Sequence, residues 1–226
     1  MEQLGTKYGG WWVPNNMNLK KDSIVYSGGV GEDMSFDILL SEKYDCNIFL
    51  IDPTKRAFKH YNECIEFFKD KSKTFTGHIQ TDYYEKIINS KPNFNKMIYY
   101  DIGLWNEKAE LKFFKQHVKE YVSQSVIVDM FGNDYDLVEV DSIKNIMARN
   151  EHAKIDLLKL DIEGAEINVL EQMLDDKIYP KYLCVEFDLK LKNKDTLNRT
   201  DYLVNRLLSQ YKILINDELN ITFVKF

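Results

Sequence analysis

Apolar positions along the 226-residue chain fall into short continuous runs separated by longer amphipathic stretches. That is the pattern of a parallel sheet covered on both faces by helices. Ser23–Ser27 (SIVYS) reads as a first strand and Gly28–Gly31 as a tight turn; Glu32–Tyr44, with Phe36, Leu39 and Leu40 at helical spacing, reads as a helix. Asn47–Asp52 (NIFLID) reads as a second strand, stopped by Pro53. Thr54 can cap the next helix, in which Ala57, Tyr61, Cys64, Ile65 and Phe68 share one face. Thr74–Ile79 has the pattern of a shorter third strand. From about Asn93 to Val140 the chain is β-rich, with strands expected at Met97–Ile102, Glu110–Phe114, Ser125–Asp129 and Asp136–Val140. Asp141 is placed to cap a helix through Met147. Ile155–Asp161 reads as a buried strand, Gly164–Leu174 as its helix, Lys181–Phe187 as another strand and about Thr196–Gln210 as the helix behind it. Lys212–Ile215, a turn at Asn216–Asp217, and Ile221–Phe226 form a closing hairpin.

Strand–helix alternation of this kind builds βαβ units. The expected fold is a single doubly wound α/β domain: a mostly parallel sheet, an antiparallel C-terminal hairpin, and a β-rich insertion at about residues 93–140. Residues 1–22 form an aromatic extension. In such sheets ligands bind beyond the carboxyl ends of the strands, where strand order reverses.

Composition narrows the partners. Thirty Lys+Arg against 36 Asp+Glu leave a net charge of −6, which argues against a general nucleic-acid binder. The three cysteines, Cys46, Cys64 and Cys184, form no Cys-x-x-Cys pair and read as reduced and buried. Met1–Gly10 has no signal-like apolar run, and no stretch has the apolar length of a membrane span. The expectation is a cytoplasmic protein without a membrane span, open to forming a homo-oligomer.

Three places carry candidate chemistry. Gly28, Gly29 and Gly31 after the first strand allow a tight turn and close approach of a ligand, and Glu32 and Asp33 beside them suit a cationic or amine-bearing group better than a pyrophosphate. Asp52 at the end of the second strand is placed to accept hydrogen bonds from ribose hydroxyls. Asp161 and Glu163 at the end of the buried strand can act as general base, orient an amine or hold a metal such as Mg²⁺, whereas Glu166 complements the next helix N-terminus. Glu186 and His117 are further candidates for the base, with His117 in the insertion where an acceptor pocket would form; His60 and His152 read as solvated and His78 as a surface histidine. Trp11 and Trp12, flanked by Lys7, Lys20 and Lys21, offer an aromatic, cationic surface for a substrate with a nucleotide handle.

The run Asp161-Ile-Glu-Gly-Ala-Glu166 resembles the signature of the FkbM-type S-adenosylmethionine-dependent methyltransferases. So do Tyr8–Pro14 (YGGWWVP), Tyr26–Phe36, Asp101–Glu107 and the closing Asn220–Val224. The resemblance implies a seven-stranded class I methyltransferase sheet. It also implies S-adenosylmethionine as cofactor, with Gly29 and Gly31 at its methionine part, Asp52 at the ribose, Asp101 near the adenine or sugar, and Asp161 near the transferring methyl. The class I pattern Asp-x-Gly-x-Asn-x-Gly is altered, Ser27 standing for its first Asp; Glu32 or Asp161 would then hold the amine. The expected activity is O-methylation of a sugar hydroxyl, often nucleotide-activated. The alternatives are methylation of another small metabolite or amine, and a cofactor-binding module without catalysis.

Overall fold

The structure, a computed structural model, describes residues 1–115, 124–125, 135–188, 193–217 and 219–226. Two short strands, β1 (Glu2–Leu4) and β2 (Trp11–Val13), form an antiparallel ribbon. Then come β3 (Ile24–Gly28), α1 (Ser35–Tyr44), β4 (Asn47–Ile51), α2 (Lys55–Lys69), α3 (Tyr83–Ile87) and β5 (Met97–Tyr100). The middle holds β6 (Gly103–Leu104), β7 (Ala109–Lys115), β8 (Gln124–Ser125) and β9 (Tyr135–Asp141). The chain continues with α4 (Ile143–Arg149), β10 (Leu157–Leu160), α5 (Glu166–Asp175), β11 (Tyr182–Glu186), α6 (Lys194–Leu207), β12 (Tyr211–Asp217) and β13 (Asn220–Lys225).

Seven strands form the main sheet in the order β12-β13-β11-β10-β3-β4-β5. All neighbouring pairs from β11 to β5 are parallel, whereas β13 runs antiparallel to both β11 and β12. This is the doubly wound α/β sheet with an antiparallel hairpin that the sequence pattern predicts. β6, β9, β7 and β8 make a second sheet of four strands. Met97–Tyr100, grouped by sequence with the β-rich middle, is instead the edge strand of the main sheet.

Period-2 alternation divides the buried side chains between two cores. Val25 and Leu157 point under α1–α3 and the N-terminal ribbon, where they meet Trp11, Val13, Phe36, Cys64 and Phe67. Tyr26, Leu158 and Leu160 point under α4–α6, where they meet Ile146, Leu170, Met173 and Leu203. The three cysteines are free and buried.

Local chemistry sets the ends of the elements. Thr54 caps α2, its hydroxyl accepting from Ala57 N–H. Ser142, not Asp141, caps α4; Asp141 accepts instead from Ser142 N–H and Asn145 and pairs with Arg149. Thr74–Ile79 forms no strand. It lacks a sheet neighbour because β5 already pairs with β4, and Thr76 is tied to Glu63 through its N–H and hydroxyl. His60 is buried on α2 rather than solvated, hydrogen-bonded to the Tyr83 hydroxyl at 2.7 Å, and burial pushes its pKa down to about 4.

Candidate active site

Strand order reverses between β3 and β10: β3 leads outward to β4 and β5, and β10 leads the other way to β11. A cleft of about 320 Å³ opens at the carboxyl ends of these two strands. Its walls are the loop after β3 (residues 29–33), the turn after β10 (residues 161–165), Pro53 and Thr54 after β4, and Gly103, Leu104 and Phe113 of the second sheet. Tyr8 and Gly9 from the N-terminal ribbon reach its mouth, as does His78.

The glycine loop is shaped by contact with its neighbours. Gly29 has φ +76, and a Cβ there would sit 1.6 Å from the Asp161 carbonyl oxygen. A side chain at Gly29 would therefore push the two loops apart before it met any ligand. Gly31 has φ +56 and open space where its side chain would be. Gly28 is buried behind the cleft, its missing Cβ facing Leu104.

Asp52 holds this loop in place. Its Oδ2 accepts from Val30 N–H (2.8 Å) and Gly31 N–H (3.0 Å). Its Oδ1 accepts from Thr54 N–H (2.8 Å) and the Thr54 hydroxyl (2.7 Å). A carboxylate offers roughly four acceptor positions, so the protein itself occupies the capacity that the sequence reading assigned to a ribose. Asp52 lines the cleft, but its first task is the loop.

The acidic residues that follow are also engaged. Glu32 pairs with Arg56 at 3.3 Å and accepts from His78 N–H at 3.1 Å, which fastens the loop to the segment after α2. Asp33 accepts from the Thr6 hydroxyl (2.6 Å) and Ser35 N–H (2.9 Å), which ties the N-terminal ribbon to the start of α1. Burial raises its pKa against the pull of those two partners.

The turn after β10 organises itself. Glu163 (φ 55) and Gly164 (φ 98) both take left-handed backbone, and Glu166 reaches back so that its Oε1 accepts from Ile162 N–H (2.9 Å) and Gly164 N–H (3.1 Å). Glu166 is fully buried, and burial pushes its pKa up to about 7 against these backbone donors. It serves as the internal brace of the turn rather than a complement to the helix dipole alone. The brace presents Asp161 and Glu163 to the cleft.

Around Asp161 lies a set of titratable side chains. The Lys159 ammonium pairs with Asp161 Oδ2 at 3.3 Å. Glu186 ends β11; burial and then the Asp161 charge push its pKa up. Asp188 is raised as well, by burial and by Glu166 and Glu163. The Tyr8 phenol is raised to about 12 by burial and by Asp161 and Glu163. This end of the site gathers several carboxyls and a phenol around Asp161, side chains able to hydrogen-bond hydroxyl groups.

Three expected positions lie elsewhere. Trp11 is a core residue (4% exposed) and Trp12 faces outward from the ribbon (40% exposed), so neither lines the cleft. Alternation along β2 explains this: Trp11 and Val13 point inward and leave Trp12 to the surface. Asp101 is exposed just after the edge strand β5, outside the cleft lining. His117 lies outside the described residues. Lys159 and Tyr8 are the site residues that sequence reasoning missed. The signal for Lys159 was a lone charge in an otherwise apolar strand, Leu157-Leu-Lys-Leu160.

The chain matches the Methyltransferase FkbM domain over residues 35–203, about three quarters of its length. The chain belongs to the FkbM methyltransferase family. Comparison with curated proteins gives no match. Among solved structures the methyltransferase is similar to a fibrillarin/Nop5p complex (TM-score 0.48, 10% identity, covering 92% of this chain and 75% of that one). It is similar to the Methanococcus jannaschii fibrillarin pre-rRNA processing protein (0.47, 12%, 94% and 69%). It is also similar to an rRNA methylase from Streptococcus thermophilus (0.44, 9%, 92% and 89%). These figures bear on no substrate.

Membership makes the chain an S-adenosylmethionine-dependent methyltransferase and implies that compound as methyl donor. The cleft fits such a donor in its chemistry. Glu32, Asp33, Asp161 and Glu163 among the lining residues are acidic, as would suit a cationic donor, Gly31 has open space where a side chain would be, and Pro53, Leu104 and Phe113 supply an apolar wall. No group of three His, Cys, Asp or Glu side chains among the described residues is arranged to hold a metal, and Mg²⁺ at Asp161 and Glu163, one option from the sequence, is unsupported. No helix among the described residues is long and apolar enough to cross a membrane.

Proposed function

We propose that this methyltransferase transfers a methyl group to a hydroxyl of a small polyhydroxylated acceptor, a sugar, with Asp161 as general base. The observation that carries the reading is the position of Asp161: at the strand-order reversal, in the cleft lining beside the glycine loop, and paired with the Lys159 ammonium at 3.3 Å. The donor supplies a methyl already activated on a sulfonium. The protein's work is then alignment of the hydroxyl with that methyl and removal of one proton. Asp161 accepts the proton at Oδ1 or Oδ2, Glu186 and Tyr8 donate hydrogen bonds to neighbouring hydroxyls, and the buried turn braced by Glu166 keeps the carboxylate from swinging away.

The acidic mouth supports a small neutral acceptor over a phosphate-rich polymer, because Glu32, Asp33, Asp161 and Glu163 would repel backbone phosphates. Trp11 is in the core and Trp12 faces away from the cleft, so neither tryptophan offers a nucleotide handle a platform there, and the sugar ring is the part recognised in the cleft. The same carboxylates would welcome an amine, which makes amino sugars the second acceptor class to try. The test is conversion of S-adenosylmethionine to S-adenosylhomocysteine with a panel of free sugars, amino sugars, sugar nucleotides and a structured RNA. Turnover with a hydroxylated sugar and none with RNA is expected; turnover with RNA alone would overturn the reading.

A further inference from the structure

Lys159 sits at an inward position of the central strand β10, on the face it shares with Leu157, and is 4% exposed. Its register neighbours are Ser27 on β3 and Cys184 on β11, so its stem runs among packed side chains toward the carboxyl edge of the sheet. A lysine this deep persists only where its ammonium is fully partnered. The ammonium donates to the Gly29 carbonyl and pairs with Asp161 Oδ2 at 3.3 Å. Asp37 on α1, itself 1% exposed, adds its charge to the same ammonium. Burial alone would lower the lysine's pKa, but Asp161 and Asp37 outweigh it and hold the group above its ordinary value, so it stays charged.

One cation thus bridges the two walls of the cleft. Gly29 belongs to the loop after β3 and Asp161 to the turn after β10, and the same two residues are in backbone contact through the missing Cβ of Gly29. We propose that Lys159 is a positioning residue: its ammonium latches the glycine loop to the base-bearing turn, so that the donor's loop and Asp161 keep a fixed relation. The inference rests on the reading of this cleft as the donor and acceptor site. It adds the residue that links its halves.

The test is calorimetric titration of the full chain with S-adenosylhomocysteine, together with amide hydrogen exchange at residues 29–31. Lys159→Met removes the ammonium and keeps a stem of similar length. The expected result is a dissociation constant raised about tenfold or more in a folded variant, with faster exchange in the loop, since a charge-assisted bond to Gly29 is lost. A purely structural lysine would lower the melting temperature and leave the dissociation constant unmoved. Should Lys159→Met fail to fold because Asp37 is left buried and unpaired, Lys159→Met with Asp37→Asn removes both charges and takes its place, with Asp37→Asn alone as control. A folded variant with wild-type affinity and wild-type exchange at 29–31 overturns the latch. A wild-type chain that does not bind S-adenosylhomocysteine overturns the donor site itself, a separate and distinguishable failure.

Discussion

The two loops that line the cleft are built on the same device, closed over very different spans of the chain. After β3, Asp52 accepts from the N–H groups of Val30 and Gly31; after β10, Glu166 accepts from those of Ile162 and Gly164. Each loop is thus moulded around one oxygen of one carboxylate. The difference lies in where that carboxylate comes from. Glu166 is two to four residues from its partners, within its own turn. Asp52 reaches its loop from the end of the neighbouring strand, 21 and 22 residues away. The turn after β10 carries its own geometry, whereas the glycine loop depends on β3 and β4 lying in register.

Breaking each brace separates the two cases. Glu166→Ala should have the larger effect on folding, about 2–4 kcal/mol in denaturant unfolding, because a buried and a part-buried N–H group lose their acceptor at once. Glu166→Gln keeps an acceptor oxygen and should cost under about 1 kcal/mol; equal losses in the two variants would show that the hydrogen bonds are not what matters. Asp52→Ala should act mainly on the donor, weakening S-adenosylmethionine binding by about 1.5–3 kcal/mol through a loosened loop. Thr54→Ala should lose only part of that, about 1 kcal/mol, as a cap is removed and Asp52 keeps its bonds to the loop. If Thr54→Ala weakened donor binding as much as Asp52→Ala, the loop bonds would not be the source of the effect.

The carboxyl end of β11 adds a pH signature to the acidic side of the site. Glu186 is pushed up from 4.5 to about 8, so the folded state holds its proton more tightly than the unfolded chain does. Its contribution to stability is therefore complete below the unfolded value and is lost as pH rises toward about 8. The melting temperature should fall across that window in the wild type and fall less steeply in Glu186→Gln; parallel slopes would contradict the assignment. The smallest effect belongs to Trp12→Ala, which should leave donor affinity within about twofold, since the side chain faces outward and away from the cleft.

The same contrast explains what could be read from the sequence. Strand–helix alternation gave the sheet and its two cores, because period-2 and period-3.6 patterns are local properties of the chain. The Asp161–Glu166 run was legible as a site because its brace is local. Asp52 was legible as a residue of the site but not as the support of the loop, since its partners lie across a strand pairing. Trp11 was misread because the tandem Trp11-Trp12 shows no alternation of type by which to tell the inward ring from the outward one. Lys159 escaped because its meaning depends on Gly29 and Asp37, which lie 130 and 122 residues away in sequence and come near it only in the fold.

The central claim is that methyl transfer takes place at this cleft with Asp161 as the base. Asp161→Asn keeps the side chain's shape and an acceptor for Lys159 while removing the negative charge. With an acceptor found in the sugar panel, turnover should fall about 10²–10⁴-fold, the usual worth of a general base, while S-adenosylmethionine affinity measured on the same preparation stays within about threefold. Wild-type turnover in Asp161→Asn would contradict the account.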